Sequence, residues 1–146
     1  QTCALPIWER YDAELADWAA ANGVRRPVVP VHCEQAWHMY CLLMPSLEAR
    51  TEFIVRLKEK GVTAVFHYLP LNKSAYAMKM EDPPSIAHGV TGGGSAFNTL
   101  RRDKWPRMEC PVTEDVSDRI VRLPFYTSMT EEKQSKGIRA VLEWKC

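Results

Sequence analysis

Long apolar runs are missing from this chain of 146 residues. No stretch approaches the roughly 20 apolar residues that a membrane-spanning helix needs, and the start lacks the basic-then-apolar plan of a secretion signal. An excess of one charge is missing too, because 19 basic and 18 acidic side chains leave a formal net charge of +1. Proteins that bind nucleic acid or an anionic membrane usually carry a basic patch, so neither is expected as a partner. We predict a cytoplasmic protein.

Paired cysteines are also missing. The five cysteines are an odd number without disulfide-like spacing, and a chain of this length can bury a core without staples. We therefore expect free thiols, and nothing near them indicates an activated one. His32, Cys33, His38 and Cys41 lie close together, but they contain no C-x-x-C pair, and residues three apart on a strand point to opposite faces. We predict no metal site.

Alternating helical and strand-like periods fill most of the chain. The apolar spacing predicts a helix over residues 8–22, a strand over 37–44, a helix from 47 to 60 capped by Ser46, and a strand over 62–66. Further along, the patterns predict a short helix over 73–80, a long loop over 81–110, a helix capped by Thr113, a strand over 120–123 and a helix over 130–144.

The stretch GVTAVFHYLPL, residues 61–71, places two polar rings at a strand end. Its first half supplies the β-branched and aromatic side chains of a buried strand, and its proline ends ladder pairing. His67 and Tyr68 therefore fall where the strand runs into a loop, and His38 opens the preceding strand in a similar way. Such a histidine either is satisfied inside the core or meets a ligand. If the two strands are neighbours, the rings converge.

The opening QTCALPI, residues 1–7, is the string obtained when a common sequencing-adapter oligonucleotide is translated. No turn, cap or period ties it to the rest of the chain, so we interpret it as an artefact outside the fold. The natural sequence would then enter inside a helix at Trp8, which predicts the C-terminal piece of a longer protein. The face formed by Trp8, Tyr11 and Trp18 would pack on the absent part, so we expect exposed apolar patches and self-association.

Four separated motifs resemble the C-terminal part of the DegT/DnrJ/EryC1/StrS family of sugar aminotransferases. They are AWHMYCLLMP at 36–45, VFHYLPL at 65–71, CPVTEDVSDRIVRLPFY at 110–126 and SMTEEKQ at 128–134. The resemblance covers almost everything from residue 8 onward except the loop. It implies an α+β fold, the small domain of a fold-type I aminotransferase, with a mixed sheet of three or more strands and helices on one face.

The resemblance also implies chemistry. Members of the family use pyridoxal phosphate to move an amino group, with glutamate as donor, onto a nucleotide-linked 4-keto sugar. Their Schiff-base lysine lies in a large N-terminal domain that this chain does not contain, so we assign no catalytic residue and expect no turnover from the chain alone. We expect the parent to be a homodimer. The alternative is a stand-alone α+β ligand-binding or interaction module without catalysis.

By motif, three residues carry over as substrate-binding residues. His67 and Tyr68 match the pair expected near the sugar-nucleotide pocket, and His38 matches the histidine that opens the first small-domain strand. Arg122, in the RLPF motif, is interpreted as a buried residue that organises its strand end. Asn72 departs from the histidine that is common there in the family, which leaves the identity of the sugar open.

Overall fold

The computed structural model describes residues 4–74 and 109–146. Its elements, in chain order, are helices α1 (Ala4–Glu14) and α2 (Ala16–Ala21), strand β1 (Cys41–Leu43), helix α3 (Leu47–Glu59), strand β2 (Val65–Phe66), a 3-10 turn (Leu71–Lys73), helix α4 (Pro111–Arg119), strand β3 (Ile120–Arg122) and helix α5 (Glu131–Leu142). None of the helices in these ranges is long and apolar enough to cross a membrane.

The contacts divide the chain into two compact units. The described residues up to Tyr68 and from Asp115 onward form the larger unit, which holds the whole sheet, and those between them belong to the smaller one. The predicted short helix at 73–80 falls mostly outside the described residues, and so does the predicted loop at 81–110 except for its last two positions.

The first helical region starts earlier than expected and is divided in two. α1 begins at Ala4 rather than at Trp8, and α2 follows after Leu15. Ile7 is buried, and its carbonyl accepts a hydrogen bond from Gln134 Nε2 at 2.7 Å. Residues 4–7 therefore take part in the fold, while the adapter origin of the segment stays a prediction.

The aromatic face of this region is covered from within the chain. Trp18 is only 7% exposed, its ring lies 6.0 Å from Phe53 and 6.1 Å from Trp144, and its Nε1 donates to the Trp144 carbonyl at 2.8 Å. Trp8 and Tyr11 are buried as well. The expected exposure of this face is wrong, because α5 returns from the far end of the sequence to pack against α1 and α3.

The sheet has three strands in the order β1-β3-β2, and both pairings are antiparallel, so the described strands do not form the mixed sheet that the resemblance implied. β3 lies in the middle, so the two strands that flank α3 are not neighbours. Only one face of the sheet is fully buried: Leu42 and Val121 are inaccessible, whereas Cys41 on the opposite face is half-buried. The strand predicted over 37–44 is longer than β1, because Trp37, at φ 48°, leaves the extended region before the strand begins.

Side-chain caps fix the starts of two helices, of which the cap at Ser46 is the one that the sequence predicts. Ser46 Oγ accepts a hydrogen bond from Ala49 N in α3, and Gly61, at φ 69°, follows the end of that helix. Thr130 Oγ1 accepts from Lys133 N at the start of α5. Thr113 is not a cap, because α4 already begins at Pro111, and proline suits the first position of a helix.

Candidate functional site

The open face of the sheet carries a charged side chain at its centre. Cys41, Arg122 and Val65 stand opposite one another in the register of the three strands, so they share a face. Alternation turns their neighbours Leu42 and Val121 into the core. A guanidinium therefore occupies the middle of a row whose other members are a thiol and an isopropyl group.

A cavity of about 250 Å³ opens beside Arg122. Its lining consists of His38, Thr63, Val65, Arg122, Leu123, Pro124 and Phe125. Residues 123–125 form one wall of the cavity. A hydrogen bond from the core fixes the backbone of this wall, because the hydroxyl of the buried Tyr11 in α1 donates to the Pro124 carbonyl at 3.0 Å. The part of the lining formed by described residues contains two basic side chains and no acidic one.

Arg122 lacks a partner within the described part of the chain. It makes no ion pair or side-chain hydrogen bond there, and it is half-buried. Other arginines are neutralised: Arg26 contacts Asp12 at 2.6 Å, and Arg119 pairs with Asp115. The prediction that Arg122 organises its strand end is therefore not supported by any polar contact with a described residue. Its guanidinium faces the cavity, and its N–H groups are available to a ligand.

His67 follows β2 directly and lies within the electrostatic reach of this arginine. Burial, the charge of Arg122 and that of His38 hold the pKa of its imidazole below the usual 6.5. Its Nδ1 is buried and finds no hydrogen-bond partner among the described residues. This environment favours the neutral ring, and one of its nitrogens is unpaired among the described residues.

Tyr68 and His38 are exposed side chains on anchored backbone. Tyr68 is 65% exposed with its ring 3.8 Å from that of His67, while its carbonyl accepts a hydrogen bond from the buried Ser117 hydroxyl of α4. His38 follows Trp37, whose ring packs edge-on against Trp8 at 4.9 Å. Both side chains can meet a ligand because their backbones are fixed by buried contacts.

The structure brings His38 and His67 to one region without making their strands adjacent. The link is Arg122, which lies on the strand between them, lines the cavity with His38 and acts on His67 through its charge. We did not identify Arg122 as a site residue from the sequence. The signal that could have found it is an arginine between two buried aliphatic residues of one strand, which alternation places on the opposite face.

The cysteines give no sign of chemistry. Burial raises the pKa of the Cys41 thiol, which is the opposite of activation, although the charge of Arg122 counteracts part of the effect. Cys33, Cys41, Cys110 and Cys146 are free. Within the described ranges, no three histidine, cysteine or acidic side chains lie close enough together to hold a metal ion.

A sequence model of the DegT/DnrJ/EryC1/StrS aminotransferase family matches residues 5–89, more than half of the chain. This chain belongs to that family. It is 28% identical over 137 residues to dTDP-3-amino-3,4,6-trideoxy-alpha-D-glucose transaminase from Micromonospora megalomicea, which covers 94% of this chain and 30% of the relative. It is 27% identical over 123 residues to an uncharacterised protein from Methanocaldococcus jannaschii, covering 82% of this chain and 26% of that protein.

Solved structures of sugar aminotransferases share the fold. DesV from S. venezuelae, solved with a ketimine intermediate, superposes with a TM-score of 0.66 at 22% identity, over 97% of this chain and 31% of DesV. CalS13 from Micromonospora echinospora gives 0.65 at 20% identity, over 97% of this chain and 30% of CalS13. The family and the α+β fold predicted from the motifs are thus confirmed. The chain spans about 30% of the length of these relatives.

The cavity does not fit pyridoxal phosphate as a resident cofactor. Such a site needs a lysine amine for the Schiff base and a carboxylate facing the pyridine nitrogen. Among the residues that the structure describes, the lining supplies neither group. The cavity is therefore suited to binding part of another molecule through imidazole and guanidinium donors.

Proposed function

We propose that this chain is the C-terminal small domain of a pyridoxal-phosphate-dependent nucleotide-sugar aminotransferase and forms one wall of its substrate site. The family match carries the proposal, because it includes His38, His67 and Tyr68. The 30% share of the relatives' length supports the assignment to one domain. The cofactor and its lysine would belong to the remaining part of the protein, which would act as a homodimer in the cytoplasm.

The proposed substrate is a 4-keto-6-deoxy sugar carried on dTDP, with glutamate as the amino donor. A relative named for a dTDP-amino-sugar supports the nucleotide. The four sequence motifs also resemble those of dTDP-4-amino-4,6-dideoxygalactose transaminase. Tyr68 would offer a ring face for stacking and a hydroxyl for hydrogen bonding. The neutral His67 would donate to or accept from a sugar hydroxyl.

The decisive experiment is to extend the coding region upstream of residue 8 and express the longer protein. We expect one reading frame that supplies a cofactor lysine and its carboxylate, and transaminase turnover with a dTDP-keto sugar. The 146-residue chain mixed with pyridoxal phosphate should show neither turnover nor a stoichiometric visible absorption band. A start codon just upstream, without a further domain, would favour the stand-alone binding module instead.

A second test addresses the wall residues in the longer protein. Tyr68→Phe should raise KM for the sugar nucleotide while leaving the KM for glutamate unchanged, because it removes one ligand-facing hydroxyl. Tyr126→Phe is a suitable control, since that tyrosine is also exposed but its ring does not pack against His67 as the Tyr68 ring does. Equal effects from the two variants would contradict the assignment.

A further inference from the structure

Two basic side chains, Arg122 and His38, line the cavity, and a third, His67, lies close enough for both charges to act on it. Arg122 comes from the central strand β3, His67 follows the edge strand β2, and His38 precedes the other edge strand β1. Arg122 and His38 share the cavity lining. His67 continues the alternation of Val65, which lines the cavity, and so belongs to the same face.

No described acidic group balances this positive charge. The charges that act on His67 are those of Arg122 and His38, and both disfavour its protonation. A buried charge in the core would normally be paired, as Arg26 is with Asp12. An unbalanced cluster beside an open cavity is the arrangement expected where a ligand brings the negative charge.

The volume limits what the cavity can take. About 250 Å³ lies below the range of roughly 300–1,000 Å³ that whole ligands of drug size occupy. The space therefore suits one small group of a larger molecule, with the rest lying outside. Arg122 faces it with the planar fork of donors that matches the oxygens of a phosphate or a carboxylate.

We propose that Arg122, His38 and His67 form an oxyanion subsite that holds one phosphate or carboxylate group of the ligand. Arg122 supplies the permanent charge, and the two imidazoles supply hydrogen bonds from either side. The identity of the ligand rests on the proposed function: the group is a phosphate of the nucleotide diphosphate or a carboxylate of the amino donor. The subsite itself needs no cofactor.

The lowered pKa of His67 is consistent with this arrangement. An anion between His67 and Arg122 would offset the repulsion that now disfavours the imidazolium, so binding should raise that pKa and take up a proton. The groups that face His67 are Arg122 from β3, His38 from the segment before β1 and the neighbouring Tyr68 ring.

The test is a titration of the 146-residue chain followed by the imidazole Cε1–H resonances in NMR spectra. The probes are sodium pyrophosphate and L-glutamate, each against sodium chloride at equal ionic strength. We expect the His38 and His67 resonances to shift saturably with at least one probe, while that of His32, exposed and outside the cavity, does not. Saturation with pyrophosphate identifies the phosphate source, and saturation with glutamate alone identifies the donor carboxylate.

Two variants decide whether the cluster is responsible. Arg122→Gln should weaken binding by at least about tenfold, since a charge-assisted hydrogen bond is lost, and Arg122→Lys should retain part of it. Arg139→Gln removes the same charge from an exposed position on α5 and should change nothing. Shifts that do not saturate, or that persist in a folded Arg122→Gln variant, would overturn the subsite.

The same titration separates this inference from the proposed function. We expect dTDP to bind through the subsite more tightly than thymidine, which lacks the phosphates. If pyrophosphate saturates the site and dTDP binds no better than pyrophosphate, the oxyanion subsite stands and the nucleotide-sugar assignment loses its support. If pyrophosphate, dTDP and glutamate all fail to bind, the subsite is wrong. The proposed function is then still tested separately, by the transaminase activity of the longer protein.

Discussion

His67 links the chemistry of the cavity to the pH dependence of folding. In the unfolded chain its imidazole takes up a proton near the ordinary pKa of 6.5, whereas the folded chain takes it up only at lower pH. Between these two pKa values the unfolded state binds more protons, so stability should fall as the pH drops through 6.5. The effect is a loss on acidification, because the folded environment disfavours the charged ring.

His67→Asn should flatten this part of the stability profile. Urea unfolding above and below pH 6.5 measures the slope, and His32→Asn is the matched control because His32 is exposed. We expect the control to keep the slope of the natural sequence. An unchanged slope in His67→Asn would show that other groups cause the loss.

The cysteines should differ in reactivity because the thiolate is the nucleophile. Cys33 and Cys146 are exposed, whereas Cys41 is half-buried and its pKa is raised. Iodoacetamide at neutral pH should therefore label Cys33 and Cys146 before Cys41, as peptide mass spectrometry would show. Faster labelling of Cys41 would mean that Arg122 stabilises its thiolate more than burial destabilises it.

How far the site was predictable depends on the range of the interactions. His67 and Tyr68 could be placed at a strand end because the local alternation and the following proline determine that position. Arg122 could not be placed beside them, since its meeting with His38 requires the register of two long-range strand pairs. Local patterns are therefore enough to place His67 and Tyr68, whereas the position of the Arg122 charge depends on long-range strand pairing.

At the scale of the elements, capping side chains determine where α3 and α5 begin. Ser46 Oγ satisfies one of the amide groups that the first turn of α3 leaves without an intrahelical partner. The glycine at φ 69° after α3 then allows the chain to reverse direction toward β2. These local devices explain why this helix was predicted closely.

Ser46→Ala should lower the free energy of unfolding by about 1 kcal/mol because it leaves the Ala49 amide without its cap. Thr51→Ala in the same helix is the control: its hydroxyl only bonds the Leu47 carbonyl one turn back, so its loss should be within about 0.5 kcal/mol. Chemical denaturation of both variants measures the difference. Equal losses would show that the cap is replaced by solvent.

The element boundaries that were missed share a cause. α1 starts earlier than predicted because Ile7 is buried and its carbonyl accepts a hydrogen bond from Gln134, far away in the sequence. β1 is shorter than predicted because Trp37 turns out of the extended region to pack on Trp8. Neither contact has a local signature in the sequence. The local pattern therefore predicts a β1 that is too long and an α1 that begins too late.

At the scale of the whole molecule, an aromatic cluster joins distant parts of the larger unit. Phe53 of α3 lies 5.5 Å from Trp144 after α5, and Trp18 of α2 contacts both rings. The sequence predicted the aromatic stripe on the first helical region but assigned its cover to another domain. The cover comes from this chain, since the terminal helix closes over it.

Trp18→Ala should lower the free energy of unfolding by about 3–5 kcal/mol, because it empties a buried site and removes the bond to the Trp144 carbonyl. Trp37→Ala, at a half-buried position on the rim of the core, should cost clearly less. Thermal or urea unfolding monitored by far-UV circular dichroism compares the two. Similar losses would mean that the cluster is not the main link between these helices.

The central place of β3 also sets an order of events during synthesis. β1 and β2 leave the ribosome first, but they do not pair with each other. Each can pair only with β3, Ile120–Arg122, which is synthesised later. Until then Leu42 lacks Val121, the residue that it later stands beside in the core. The sheet, and with it the basic cluster beside the cavity, can therefore form only after translation has passed residue 122, and until then the unpaired β1 and β2 are open to aggregation.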